Sequence, residues 1–392
     1  MGLPHNDSET GTDTGTDGDP RVGAHAGSEP GPGSGTAAGA RARAVFDADR
    51  GVDDMVDRAL RRLAEKGRDR GPRAAVIADA ARDAATGGKR FRPRLVASSH
   101  LAFGGGAPND AVADVAAGFE LLHTAFVIHD DVIDGDVERR GKPNVSGVFR
   151  AGARAAGASY GRAARFGDAA SILTGDVLLY EATRLIAGAR LPADPHRRLL
   201  DLLDDVILVS AAGELADVEY ATLPTPPSPE AVLATARDKT AVYSISAPLQ
   251  AGALIAGAPD DAVAALGAAG RSLGLAFQLA DDLIGAFGTA GQAGRSPGAD
   301  LREGKHTALI ALARRSDEWS EVEPVLAMAR TGTEGVHAAQ AALDACGARK
   351  RVSALIDETL AAARDRWSRA PIPEAARRML GDLTDVIEER VP

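Results

Sequence analysis

From about Ala42 onward, apolar residues recur three and four positions apart along the chain. Val52, Met55, Val56, Ala59, Leu60 and Leu63 make one such stripe, and Leu199, Leu202, Leu203, Val206 and Leu208 make another. That period belongs to helices buried on one side. Alternation long enough for a half-buried strand is hard to find, and β-branched runs are short. A chain patterned this way buries its apolar stripes helix against helix, which excludes sandwiches and parallel-sheet folds. Gly/Pro clusters at 104–108, 192–195, 223–229, 257–259 and 289–298 mark where helices stop. No linker divides residues 42–392, so the expectation is a single large all-α domain of about ten or more helices. The glycine- and arginine-rich stretch 141–167 reads as a long loop or a loosely held helix.

Residues 1–41 stand apart. The first 40 hold six acids, one base and ten of the 44 glycines, with no hydrophobic period. Such a segment cannot bury enough apolar area to offset its ordering entropy and is expected to be a disordered tail. It carries −5 of the formal net charge of −10. An acidic balance argues against nucleic acid, or an anionic membrane, held by a general basic surface. The single cysteine, Cys346, excludes a disulfide scaffold and a cysteine-based zinc site. The most apolar stretch, 241–258, contains Ser244, Ser246, Pro248 and Gln250, so it reads as buried helix rather than a membrane span. No basic start followed by an apolar run is visible, and a soluble, cytoplasmic, reducing setting is expected.

Two helix ends carry acids. The apolar run 119–128 leads into His129, Asp130, Asp131, Val132, Ile133 and Asp134. Spacing i, i+4 puts Asp130 and Asp134 on one helical face, with Asp131 beside them. Carboxylates crowded this way repel unless a cation neutralises them. A donor set of oxygens alone suits a hard ion such as Mg²⁺, which takes a few carboxylates plus substrate phosphates. A solvated helix end is the bland alternative. The pattern then repeats, because residues 277–280 lead into Asp281 and Asp282. Two such ends facing each other could hold metal ions between them.

Positive charge is placed separately. Lys89, Arg90, Arg92 and Arg94 surround the Gly87-Gly88 pair, and Arg139, Arg140 and Lys142 follow the first aspartates. Lys239-Thr240 and Lys305-His306-Thr307 add further cations. Arginine forks and lysines beside glycines suit diphosphate oxygens. Each alone is an ordinary basic turn; together with the acids they describe a site for two phosphate esters and bridging Mg²⁺.

Six elements, GGKRFRPRL, HDDVIDGDVERRGKP, ILTGD, DKT, FQLADD and DLREGKHT, occur in an order and spacing that resembles the trans-isoprenyl diphosphate synthases. The resemblance spans about residues 50–390, and among subgroups it looks most like actinobacterial geranylgeranyl diphosphate synthases. It implies the isoprenoid synthase fold with a central elongation cavity, a homodimer, and Mg²⁺, three ions per active site. It implies that Asp130, Asp131 and Asp134, with Asp281 and Asp282 opposite, bind Mg²⁺ on the allylic diphosphate. Arg139, Lys239 and Lys305 would hold that diphosphate, and Gln278 and Thr240 would line its pocket. Lys89, Arg92, His123 and Arg140 would hold isopentenyl diphosphate. Asp130, Asp131, Asp134, Lys239 and Asp281 would carry catalysis by ionisation, carbocation attack and proton loss.

Departures are few. Gly285 stands where many members have a third aspartate, Asn144 where threonine is usual, Arg295 where lysine is usual, and Ala299 where an acid is common. Ala125 and Phe126, five and four residues before Asp130, occupy positions whose bulk sets the floor of the elongation cavity in this family. One small and one aromatic residue there point to a C20 product, with C15 or a longer chain as competitors and ordinary core packing as the alternative for Phe126. A class I terpene cyclase shares the fold but has no use for the second set of diphosphate anchors. A non-catalytic partner subunit would tend to lose the aspartates, and all three of the first motif are present.

Overall fold

The structure, a computed structural model, describes residues 49–293 and 296–392. The expected tail at 1–41 and Arg295 lie outside the described residues. Helices dominate: α1 (Asp49–Asp69), α2 (Pro72–Ala85), α3 (Phe91–Ala102), α4 (Asp110–Ile133), α5 (Val145–Ala155), α6 (Tyr160–Ala187), α7 (Ala193–Thr222) and α8 (Pro229–Ala236). A π-helical segment, Arg237–Ser246, runs from α8 directly into α9 (Ala247–Ile255). The long α10 (Asp260–Phe287) follows, then α11 (Ala290–Ala293), α12 (Ala299–Glu303), α13 (Ala308–Ala313), α14 (Trp319–Ala329), α15 (Thr333–Ala345), α16 (Ala348–Ser368) and α17 (Glu374–Glu388). Among the described residues the strands are a single two-residue pair, β1 (Glu138–Arg139) and β2 (Lys142–Pro143).

Two helices organise the core, and they are the two that carry the acids. Phe119, Leu121, Leu122 and Ala125 of α4 are buried in one hydrophobic cluster with α1, α2 and α6. Leu266, Leu273, Leu279 and Leu283 of α10 are buried in a second, against α16 and α17. Because neighbours surround both helices, their apolar residues need no single stripe. Both are long and apolar enough to cross a membrane, but their apolar windows are 78% and 56% buried inside the protein. That is the pattern of core helices.

The stretch 141–167 differs from the loop or loose helix its glycines suggested. It holds the second ribbon strand, all of α5 and the start of α6. Asn144 caps α5, accepting from the Gly147 N–H at 2.9 Å and donating to the Asp136 carbonyl at 2.9 Å. Gly167 has the Ser146 carbonyl where a side chain would be. Arg150 (2.6 Å) and Ser146 (3.2 Å) both donate to Asp168. The glycine there serves close helix contact, not a loop. A cleft of about 140 Å³ opens between the π segment, α10 and α16, beside Arg237, Arg271 and Arg366, and none of the residues singled out above lines it.

Candidate active site

α4 ends one residue before Asp134, whose backbone N–H still bonds to the Asp130 carbonyl at 2.8 Å. Gly135, at φ +73°, then turns the chain away from the helix axis. The ribbon that follows folds back through Arg140 and Gly141, both at positive φ, in a two-residue hairpin. It returns Arg139 to the aspartates, where Nη2 and Nε donate to Asp131 Oδ1 at 2.6 and 2.9 Å, with Asp130 3.5 Å away. Burial raises the Asp131 and Asp134 pKa values, more than their cationic neighbours lower them.

Lys239 enters from the π segment. Its Nζ lies 3.1 Å from Asp130 Oδ1, 3.0 Å from Glu214 and 2.7 Å from Asp217. Three carboxylates outweigh burial and hold its pKa well above the ordinary lysine value. The approach depends on Gly213 of α7, where a Cβ would collide with the Lys239 backbone. π segments are rare and concentrate at functional sites. This one carries Lys239, the half-buried Thr240, Tyr243 and Ser244.

At the end of α10, Asp281 accepts from Arg390 Nη2 at 2.6 Å and Nε at 2.7 Å. The Arg390 guanidinium also sits 4.7 Å over the Phe277 ring. Asp282 accepts from Gln278 Nε2 at 2.9 Å. Burial pushes its carboxyl up to about 8, with Asp300 and Asp281 adding to the rise. Gly285, in place of a third aspartate, has a physical explanation: a Cβ there would fall on the Asp300 carboxylate. Asp300 of α12 occupies that space. Lys305 connects the two acidic helix ends, lying 3.6 Å from Asp134 and close enough to lower the Asp282 pKa.

A third group joins the turn before α3, the body of α4 and the π segment. Gly87 and Gly88, at φ +82° and +90°, expose Lys89, which is near enough to lower the Asp281 pKa. Arg92 Nη2 donates to Ser244 Oγ at 2.7 Å, while its buried Nε has no hydrogen-bond partner. His123 Nδ1 lies 3.3 Å from Tyr243 Oη. Burial, then Arg92, Arg139 and Arg140, depress the His123 pKa well below its usual value, so the ring is neutral. Phe126 packs edge-on against Tyr243, with ring centroids 5.1 Å apart, and Ala125 is fully buried.

The candidate metal and diphosphate ligands thus lie in three groups, with Lys305 beside both acidic helix ends, whereas Asn144 serves as the α5 cap and Arg90 pairs with Asp53 and Glu120. Among the described residues, no three acids or histidines converge closely enough to hold a metal ion. The donor set nevertheless fits one: it is all carboxylate oxygen, and buried Asp130 Oδ1 makes no hydrogen bond and is met only by the Lys239 ammonium at 3.1 Å. Sequence reasoning missed Glu214, Asp217, Tyr243, Asp300 and Arg390. The signal for the first two was Gly213, a glycine inside a helix just ahead of two acids three apart. Arg390 had no such signal.

The polyprenyl synthetase family profile matches residues 74–345. The chain belongs to the polyprenyl synthetase family. A geranylgeranyl diphosphate synthase of Mycobacterium tuberculosis is 34% identical over 307 residues, covering 76% of this chain and 79% of the relative. One from Sulfolobus acidocaldarius is 32% identical over 57% of this chain, which spans only 62% of that relative. The crystal structure of a Corynebacterium glutamicum geranylgeranyl pyrophosphate synthase, complexed with isoprenyl diphosphate and magnesium, superposes with a TM-score of 0.79. It is 29% identical and covers 89% of this chain and 98% of its own. Other relatives are named farnesyl (Mycobacterium bovis), geranylfarnesyl (Aeropyrum pernix) and nonaprenyl (M. tuberculosis) diphosphate synthases. The relatives' names span several product lengths, so family membership leaves product length open.

Proposed function

We propose that the chain condenses isopentenyl diphosphate with an allylic diphosphate of C5 to C15 to give geranylgeranyl diphosphate, C20. The observation that carries this reading is the gathering of Asp130, Asp131 and Asp134, with Arg139, Lys239 and Lys305 held directly on them. Cations already placed against the acids are the groups an incoming diphosphate would take as partners. Asp130, Asp131 and Asp134, with Asp281 and Asp282, would hold Mg²⁺, which supplies charge that stabilises the departing diphosphate. Arg139, Lys239 and Lys305 then turn from carboxylates to the allylic diphosphate oxygens. Gln278 and Thr240 line that end of the pocket. Lys89, Arg92, His123 and Arg140 orient the second diphosphate so that its double bond meets the allylic carbon in line. The alanine- and leucine-rich walls of α4 exclude water from the cation, and the final proton passes to the released diphosphate.

Phe126 closes the space one helical turn beyond Asp130, and Ala125 leaves room beside it, which favours C20 over C15. Phe166, Leu173 and Tyr180, seven apart on α6, are 52%, 53% and 63% exposed. With Leu208 and Leu215 of α7 they favour a homodimer that covers this face. Turnover of the purified chain alone tests the reading. Elongated product should form with Mg²⁺, stop with chelator, and fall at least a thousandfold in Asp131→Asn. Product formed equally in chelator would overturn the metal assignment.

A further inference from the structure

We propose that Tyr243 is a positioning residue that sets both the grip on isopentenyl diphosphate and the length of the product. The inference rests on the reading above, which places Arg92 and His123 on that diphosphate and Phe126 at the end of the growing chain. Tyr243 is 8% exposed and touches all three. The Phe126 ring meets it edge-on, at 88° and 5.1 Å between centroids. The Arg92 guanidinium carbon lies 5.1 Å from its centroid, and His123 stacks on it at 5.9 Å with its Nδ1 near Oη.

Each contact does something different. An edge-to-face pair fixes the plane of the Phe126 ring, so the floor holds its position only while Tyr243 backs it. The guanidinium over the ring, with its bond to Ser244, limits where Arg92 can point. The hydroxyl decides a tautomer. Tyr243 Oη has no other hydrogen-bond partner among the described residues, and of the two directions open to this contact the one that serves an anion has the phenol donating to Nδ1 of the neutral imidazole. The ring proton is then on Nε2, and His123 is a donor there, as an anion requires. One side chain of the π segment thus couples the floor to the anchors.

The two roles separate by variant. Tyr243→Phe keeps the ring and removes the hydroxyl. It should raise KM for isopentenyl diphosphate about three- to tenfold, change kcat less than twofold and leave product length as in the wild type. Combined with His123→Ala it should add nothing further to KM. Tyr243→Ala, or Tyr243→Leu if the alanine variant does not fold, unseats Phe126 and should shift products to longer chains. A side chain that only filled the core would lower stability and kcat without moving KM or product length. The inference is overturned if folded Tyr243→Phe keeps the wild-type KM, or if folded Tyr243→Leu keeps the wild-type product. Phe126→Ala in parallel distinguishes the failures. If it lengthens the product and Tyr243→Leu does not, Tyr243 is wrong; if it too changes nothing, the floor assignment fails with it.

Discussion

Asp282 sits at the buried end of α10 with one side-chain donor, Gln278, and two acids nearby, Asp281 and Asp300. Its carboxyl is pushed from 3.8 up to about 8, chiefly by burial. Unfolding returns it to the ordinary value. The folded chain therefore binds a proton that the unfolded chain releases across that window, and stability falls as pH rises through it. In chelator, the protein should melt at a lower temperature at about pH 9 than at about pH 5, and Asp282→Asn should flatten this difference. Equal slopes in the two proteins would contradict the assignment. Gly285 shows what a residue-level reading can miss. The sequence shows a lost acid, whereas the structure places the Asp300 carboxylate where a side chain at 285 would go. Fifteen positions separate the two in the chain, and no local pattern reports that they meet.

At the scale of elements, the π segment decides how Lys239 meets Asp130 and how Tyr243 meets α4. Its approach to α7 requires Gly213, because a methyl group there would overlap the Lys239 backbone. Gly213→Ala should cost about 1–3 kcal/mol by overpacking. It should also lower kcat at least tenfold by drawing Lys239 away from Asp130, Glu214 and Asp217. A denaturant melt and turnover on the same preparation check both, and full activity would show that the contact is not needed. Helix type and order were legible because the 3.6-residue period is strong in α1 and α7. The π segment was not, since i→i+5 bonding leaves no mark in an apolar, serine-containing run such as 241–246. The 141–167 stretch misled for a related reason. Glycines that permit close packing, Gly147 and Gly167, look in sequence like glycines that end helices.

For the whole molecule, placement of charge says more than its sum. The net charge of −10 describes neither acidic helix end, and each end is neutralised within the chain by Arg139, Lys239, Lys305 or Arg390. The motif residues were legible because the six elements keep their order. Glu214, Asp217 and Arg390 were not, because charge on a helix face or after a helix end is ordinary surface until folding brings it to the site. The exposed face of α6 belongs to this scale too. Leu173→Glu with Tyr180→Glu should convert a dimer to a monomer in sedimentation equilibrium, and an unchanged mass would place any interface elsewhere. The most direct test of the whole account is mass-spectrometric sizing of products from the purified chain, isopentenyl diphosphate and Mg²⁺, with each allylic primer offered separately. The account expects C20 as the end product from every primer and longer chains from Phe126→Ala. No elongated product from well-folded wild type, or products unchanged in Phe126→Ala, would contradict it.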